Sequence, residues 1–588
     1  MNRWVTSPPE LLAERAEQYR QRGWWLPERL DDLVLRHPSA QPDKCAVVSG
    51  RRRLTHAELA AAVDRSARRL SRIGIIPRDR VLVQLPNDPE FLVLVLALIR
   101  LGALPVLAIP MLREHELDHV LAVTRPVALA VPARFQRFDH LAMAEGLRDR
   151  HPDVRLLLVT GHDRSGHIDL EGLCFEPGGE VADDGPPPGD PRDIALFLLS
   201  SGTTGPPKAI PRSHEALGHV IRCASAVSGL SAESVYLALM PVEHSFVFGH
   251  PGILGTLAAG GTVVFADPGD PGQAFGLVER ERVTHCALVP ALAGQWSVAP
   301  EAAAHDMSSL RVLQVGGARL DPVTADRIQT RLGCRVQQVY GMSEGLLNFT
   351  RLDDPDAVVR ETQGRPSSPG DELLVIGDDG EPTREGVGEL ITRGPSVITG
   401  YWADPAANER AFTPDGFYRT GDLVRLHPSG NYVVSGRIKD VINRGGEKIA
   451  ADELEDLVRD HPGVRDAAAV AMPHRMYGEA VCLYVVPTDG QRPGLPVIRR
   501  YLTRRGLSPF KLPARVELLD ALPMKGVGKV DKAALREEIA RRVEAERAER
   551  ADTPGMVSRA LTHRADQMTD EPAGTETSGR CKARRERS

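Results

Sequence analysis

Between residues 46 and 131, short β-branched and aliphatic runs alternate with segments whose apolar residues recur every three or four positions. The first such segment opens at Thr55-His56-Ala57-Glu58, the pattern of a capping box in which hydroxyl and carboxylate each satisfy a free backbone amide. Leu59, Ala62, Val63, Ala67 and Leu70 follow at helical spacing, and Gly74 is the residue type that closes a helix. Residues 81–85 then read as a strand, Pro89–Leu101 as an apolar helix and residues 105–109 as another strand. Strands separated by helices pair in parallel, because a parallel neighbour needs a crossover, and parallel sheets are covered on both faces. The pattern returns at Ile194–Leu199 and at residues 264–265, 285–289, 312–315 and 336–340, which predicts an α/β protein.

Composition sharpens this picture. A chain of 588 residues, 42% of them hydrophobic, is ordinary for a globular protein but too long for one core, so two or more domains are expected. The apolar run at residues 91–99 is stopped by Arg100, whereas a membrane-crossing helix needs about 20 such residues. The opening MNRWVTSPPE lacks the apolar stretch of a secretory signal. Cys45, Cys174, Cys223, Cys286, Cys334, Cys482 and Cys581 form no CxxC pair, which argues against a disulfide framework or structural zinc and fits a reducing compartment. A cytoplasmic location is therefore expected. A net charge of −6 offers no basic surface for nucleic acid, and neither nucleic acid nor membrane is expected as a partner. Residues 177–191, rich in Pro, Gly and Asp, read as a surface connection. Past Arg550 the apolar residues thin out without a period, so disorder is expected there; the basic end (Arg580, Lys582, Arg584, Arg585, Arg587) could touch an acidic partner, although composition favours a merely solvated tail.

The candidate chemistry lies in Gly-rich blocks. Ser200-Ser201-Gly202-Thr203-Thr204-Gly205-Pro206-Pro207-Lys208 follows a buried strand; its glycines let amides turn inward, and its hydroxyls and lysine add donors suited to a triphosphate. It lacks the GKS or GKT of a Walker loop, and in isolation a structural turn explains it nearly as well. Gln337-Gln338-Val339-Tyr340-Gly341-Met342-Ser343-Glu344-Gly345 ends a strand in a loop with one carboxylate, where α/β sheets place ligands. Glu344 there is either an ordinary loop glutamate or a ligand for Mg²⁺, which prefers hard oxygens. Gly416 to Asp422, then Gly436-Arg437-Ile438-Lys439-Asp440 and Asn443-Arg444-Gly445-Gly446-Glu447-Lys448, offer an Asp for ribose hydroxyls and an Arg for sugar or phosphate, or simply a charged hairpin between Tyr418 and Val434. Gly526-Val527-Gly528-Lys529 puts a lysine on a glycine-rich loop.

Taken together and in this order, the blocks resemble the adenylate-forming superfamily of acyl-CoA synthetases, adenylation domains and luciferases, over roughly residues 20–540. Tyr19 to Trp25, Val83-Gln84-Leu85-Pro86-Asn87, Lys208-Ala209-Ile210-Pro211-Arg212, residues 340–345 and residues 442–449 are most similar to stand-alone aryl-acid AMP ligases of the 2,3-dihydroxybenzoate and salicylate type. The resemblance implies a large N-terminal domain of packed α/β subdomains (residues 1–436), a hinge (437–440) with Lys439 as pivot, a small mobile α+β domain (441–550) and the tail (551–588). It implies ATP and Mg²⁺ as cofactors. Ser201, Gly202, Thr203, Thr204, Gly205 and Lys208 would bind the phosphates, Gly317, Gln338, Val339 and Tyr340 would line the adenine site, and Asp422 and Arg437 would hold the ribose. Glu344 and Thr204 would place the metal; Lys529 and His244 would be catalytic; Gly446 would border the thiol tunnel. His244, Ser245, Phe246, His250, Gly316, Gly341 and Leu347 would form the acid pocket.

The implied activity is adenylation of an aromatic acid, then transfer to the phosphopantetheine thiol of an aryl carrier protein in siderophore or nonribosomal peptide synthesis. An aryl-CoA ligase would share the first step. An inactive scaffold would have lost reactive positions, yet Lys208, Glu344, Asp422, Arg437 and Lys529 all stand where the pattern needs them. The departures are Ser245-Phe246, where the dihydroxybenzoate and salicylate type carries Asn-Tyr, and His250, where a small Ser or Cys is usual. Either these positions do not face the ligand, or the pocket takes a different acid: an amino-hydroxybenzoate, or a hydroxylated picolinate or quinaldate.

Overall fold

The computed structural model describes residues 9–37, 41–50, 52–161, 166–177, 189–200, 207–267, 271–444, 447–474, 477–505, 507, 509–525 and 529–551. The capping box forms: the Thr55 hydroxyl accepts from the Glu58 amide at 3.1 Å, Glu58 returns a bond to the Thr55 amide at 2.8 Å, and the helix His56–Arg72 begins there. Gly74 takes φ +90° just past its end. Pro89–Leu101 is a helix in which only Glu90 and Arg100 escape full burial, so its residues stand at the centre of the largest core. That core joins Val47 and Val263 of one sheet to Val83 and Leu107 of another.

The first of these sheets has nine strands in the order Arg365–Pro366, Leu347–Phe349, Arg335–Gly341, Val312–Gly316, His285–Leu288, Val235–Ala238, Thr262–Phe265, Cys45–Ser49 and Arg52–Thr55. The stretch from Arg335–Gly341 to Cys45–Ser49 is parallel, and antiparallel strands flank it. The second has seven, from Ala209–Ser213 through Ile194–Leu199, Leu104–Leu107, Arg80–Val83, Ala128–Pro132 and Leu156–Thr160 to Ile168–Asp169, antiparallel only at the first pair. A third, wholly antiparallel sheet (Pro382–Thr383, Glu372–Ile376, Gly388–Arg393, Tyr418–Leu426, Tyr432–Arg437) goes beyond the predicted pattern, of which only the last hairpin was foreseen.

Among the described residues, the apolar cores before Val434 and those from Ile442 onward share no member. The fold is thus a large N-terminal α/β domain and a small C-terminal domain, the latter built on Glu447–Ala450, Val441–Arg444, Gly478–Pro487 and Val464–His474, with Arg515–Leu518 beside Gly478–Pro487. One 3₁₀ turn, Ile438–Asp440, carries the chain from one core to the other and contains Lys439. The tail residues 552–588 lie outside the described residues, as does most of the segment read as a surface connection.

Candidate active site

Parallel sheets bind ligands beyond the carboxyl ends of their strands, and the nine-stranded sheet builds the floor of the site in that way. Val312–Gly316 and Arg335–Gly341 run side by side, with Gly316 opposite Val339. Gly317 follows at φ +87°, a conformation that favours glycine. The third sheet supplies the wall: Asp422 and Arg437 are direct cross-strand partners. Tyr340 donates its hydroxyl to Asp422 Oδ2 at 2.7 Å, and Arg437 Nε reaches Asp422 Oδ1 at 2.9 Å. Asp422 is only 4% exposed, and burial together with its charge pushes the Tyr340 phenol well above its ordinary range. Each carboxylate oxygen keeps a lone pair, so Asp422 can still accept a sugar hydroxyl. Gln338 is placed differently: its amide accepts from Gln363 at 3.1 Å and donates to the Val359 carbonyl at 2.5 Å, so its side chain serves an internal network and leaves the strand backbone for a ligand. Val339 is buried in the core.

Glu344 is held nearby. Its Oε1 accepts from the Tyr401 hydroxyl at 2.7 Å, Tyr401 and Tyr418 hydroxyls meet at 3.1 Å, and the Ile398 amide donates to the Glu344 carbonyl at 2.8 Å. Burial and the Glu344 charge raise both phenols far above their usual values, so they act as donors. Lys208 Nζ lies 5.0 Å from the Tyr401 ring centroid, a cation–π distance. The strands Ile194–Leu199 and Ala209–Ser213 close a stem at that point, with Ser200 donating its amide to the Lys208 carbonyl at 3.0 Å and accepting from the Lys208 amide at 2.9 Å through its hydroxyl. Ser201, Gly202, Thr203, Thr204 and Gly205 lie outside the described residues, as does Gly446.

Lys529 enters from the small domain on the short strand Lys529–Val530, paired with Met524–Lys525. Burial lowers its pKa, Arg437 lowers it further, and Asp422 and Glu344 oppose both. The Lys529 ammonium is thus within electrostatic reach of these large-domain groups. His244 feels the same lysine: burial first, then Lys529, bring it down to about 4, so it is neutral at pH 7. Its Nδ1 accepts from the Phe246 amide at 3.3 Å and caps the helix Ser245–Phe248, which leaves the proton on Nε2.

Several of the residues read as an acid pocket are neighbours. Ser245 Oγ lies 3.0 Å from Ser343 Oγ. A methyl at Gly316 would stand 3.2 Å from the Phe246 ring, and one at Gly341 would meet Leu347 Cδ2 at 2.4 Å, so both glycines make room for those side chains. His250 is 2% exposed with no hydrogen-bond partner on Nε2 among the described residues, and burial, Arg212 and His244 hold its pKa well below the ordinary imidazole value. Tyr401 and Tyr418 were not singled out from sequence; no local pattern distinguishes them from core tyrosines.

This arrangement of a carboxylate–arginine–tyrosine cluster, a second buried carboxylate and an inserted lysine can bring two anionic reactants together. The profile described as AMP-binding enzyme matches residues 34–402, and that of the AMP-binding enzyme C-terminal domain matches residues 453–529. The chain belongs to the AMP-binding enzyme family. Its members are adenylate-forming ligases that use ATP. Among its relatives, the chain is 45% identical to the 2-hydroxy-7-methoxy-5-methyl-1-naphthoate–CoA ligase of Streptomyces carzinostaticus, over 89% of this chain and 95% of that one. It is 44% identical to the salicyl-AMP ligase / salicyl-S-ArCP synthetase of Mycobacterium tuberculosis, over 89% and 93%. The apo structure of Mycobacterium smegmatis MbtA is similar at 41% identity, with a TM-score of 0.68, over 90% of this chain and 98% of that one. Among the described residues of this AMP-binding enzyme, no helix is long and apolar enough to cross a membrane.

Proposed function

We propose that this enzyme adenylates an aromatic carboxylic acid and passes the aryl group to the phosphopantetheine thiol of a carrier protein. The observation that carries the reading is that Lys529 of the small domain lies within electrostatic reach of Arg437, Asp422, Glu344 and His244, while Asp422 is tied directly to Tyr340 and Arg437. The acid's carboxylate attacks the α-phosphorus of ATP, the bond to the bridging oxygen breaks, and pyrophosphate leaves. Nucleophile and phosphate are both anionic, so an ammonium between them removes repulsion and stabilises the charge that develops at phosphorus. Asp422, fixed by Tyr340 and Arg437, orients the ribose; neutral His244 lines the path of the acid without adding charge. In the second step the thiolate attacks the aryl carbonyl and AMP departs.

Mg²⁺ fits the donor set. Glu344 offers a buried carboxylate and shares Tyr401 as a neighbour with Lys208, and no group of three or more His, Cys, Asp or Glu suited to a dedicated metal cage occurs among the described residues. Mg²⁺ typically takes one or two carboxylates and completes its shell with phosphate and water. When bound, it would neutralise charge on the departing pyrophosphate. Thr204 would be its second protein contact. Domain bounds of 1–436, 437–440 and 441–550, with Lys439 in the hinge, are proposed on the separation of the cores.

For the acid, the support comes from Ser245 and His250. Ser245 already meets Ser343, so less of it is available to an ortho substituent than an asparagine amide would offer, whereas the His250 Nε2, which has no partner among the described residues, can donate or accept. The proposed substrate is a hydroxy- or amino-substituted benzoate or heteroaromatic acid other than 2,3-dihydroxybenzoate. Acid-dependent ATP–pyrophosphate exchange over salicylate, 2,3-dihydroxybenzoate, 3-hydroxyanthranilate, 3-hydroxypicolinate and 3-hydroxyquinaldate, with a fatty acid as control, tests it. Exchange with the fatty acid alone would refute the aryl reading, and efficient use of 2,3-dihydroxybenzoate would refute the pocket reading. Coenzyme A is the second acceptor to test, because the naphthoate relative is a CoA ligase.

A further inference from the structure

Arg212 closes the block Lys208-Ala209-Ile210-Pro211-Arg212 and is buried to 1% exposure. Its Nη1 donates to the Ser343 carbonyl at 3.2 Å and its Nη2 to the Ser396 carbonyl at 2.9 Å, while Nε has no hydrogen-bond partner among the described residues. Burial lowers the guanidinium to about 10, opposed by Asp371 and Glu344, so it stays charged at pH 7. Taking a cation out of water is costly, and here the two carbonyls together with the charges of Asp371 and Glu344 offset that cost.

The surroundings are shaped to admit it. Gly345 sits at φ +130°, and a methyl there would lie 1.8 Å from the Ser396 carbonyl oxygen and 2.8 Å from Arg212 Nη1. The segment that Arg212 grips is fixed on its other side as well. Ser396 donates its amide to Asp371 at 3.2 Å, Trp25 Nε1 donates to the Pro395 carbonyl at 3.0 Å, and the Trp24 ring leaves no room for a side chain at Gly370. One buried cation thus ties the 343–345 turn to a strap that the N-terminal tryptophans hold.

We propose that Arg212 is a positioning residue for adenylation, which fixes the turn so that the Glu344 carboxylate faces the phosphates and the Ser343 hydroxyl meets Ser245 in the acid pocket. The inference rests on the adenylation reading for its activity arm only. The test compares full-length wild type with Arg212→Lys and Arg212→Met by ATP–pyrophosphate exchange, by calorimetric ATP binding with and without Mg²⁺, and by thermal melting. A misplaced reacting group costs about 10²-fold in rate, so Arg212→Met is expected to lose about 10²-fold in kcat and the Mg²⁺-dependent gain in ATP affinity. Arg212→Lys, which keeps the charge but not the fork, is expected to fall between. Wild-type kcat and Mg²⁺ dependence in folded Arg212→Lys and Arg212→Met would overturn the proposal. So would losses that only track the unfolded fraction in the melt. Absence of exchange by the wild type would count against the adenylation reading, and the calorimetry would still decide the role of Arg212.

Discussion

The two sides of the cleft are built in opposite ways. On the large-domain side each functional group has several fixed partners: Asp422 holds both Tyr340 and Arg437, and Glu344 is held through Tyr401, Ile398 and, by way of Ser343, Arg212. On the small-domain side Lys529 stands on a two-residue strand whose hairpin partner is Met524–Lys525, with Met524 54% exposed. One side fixes its groups through many contacts; the other presents its lysine on a short, partly exposed hairpin. Asp422 and its partners are placed to hold the nucleotide, whereas a cation at the developing charge acts in the transition state, so ATP affinity should follow Tyr340 and Asp422 and the rate of adenylation should follow Lys529.

Acid is expected to break the comparison most severely, because His214, His219 and His285 all lie buried in the large domain, and burial has brought each from 6.5 to about 4. Their folded-state values are depressed, so the neutral form is favoured by folding. The stability they contribute is complete above pH 6.5 and is lost as pH falls from 6.5 to 4, on the order of 3 kcal/mol for each histidine. Thermal melts across that range should show the large-domain transition falling first. A flat profile would refute the assignment.

Removal of Lys529 separates rate from binding. Lys529→Ala should lower kcat for adenylation by about 10²–10³-fold, by analogy with an oxyanion-hole donor, with ATP affinity nearly unchanged in a fluorescence titration. Tyr340→Phe attacks the opposite side. A hydrogen bond to a charged group contributes about 1.5–3 kcal/mol, so KM for ATP should rise by more than about 10-fold while kcat changes less. Steady-state kinetics on the two variants would sharpen the comparison, and equal effects on both constants would erase it. The smallest effect is a control remote from the cleft: Thr55→Ala should cost about 1 kcal/mol of stability through the lost cap and leave both constants alone in the same assays.

Much of the fold could be read locally. The capping box at Thr55 and Glu58, the burial of Pro89–Leu101 and the strand at Ile194–Leu199 all depend on neighbours in sequence, and the structure contains them as the pattern predicted. The sheet from Glu372 to Arg437 was harder, because its strands are antiparallel and a single helix, Pro405–Ala411, falls among them, so the regular strand–helix alternation that marked the other two is missing. In the site, the residue types of Glu344, Asp422, Arg437 and Lys529 were visible within their blocks, but their supports were not. Tyr401 reaches Glu344 across 57 positions and Arg212 reaches Ser396 across 184, and no local periodicity encodes contacts of that span. Gln338 shows the converse, since a residue in the right block spends its side chain on Gln363 and Val359 instead.

The most direct test of the account is a single-turnover comparison of wild type and Lys529→Ala, with the aryl acid that supports exchange. Formation of the aryl adenylate from ATP would be timed separately from thioester formation by preformed adenylate and thiol. The account predicts a loss of about 10²–10³-fold in the first step with the second retained. Full adenylate synthesis by Lys529→Ala, or an equal loss in both steps, would contradict it.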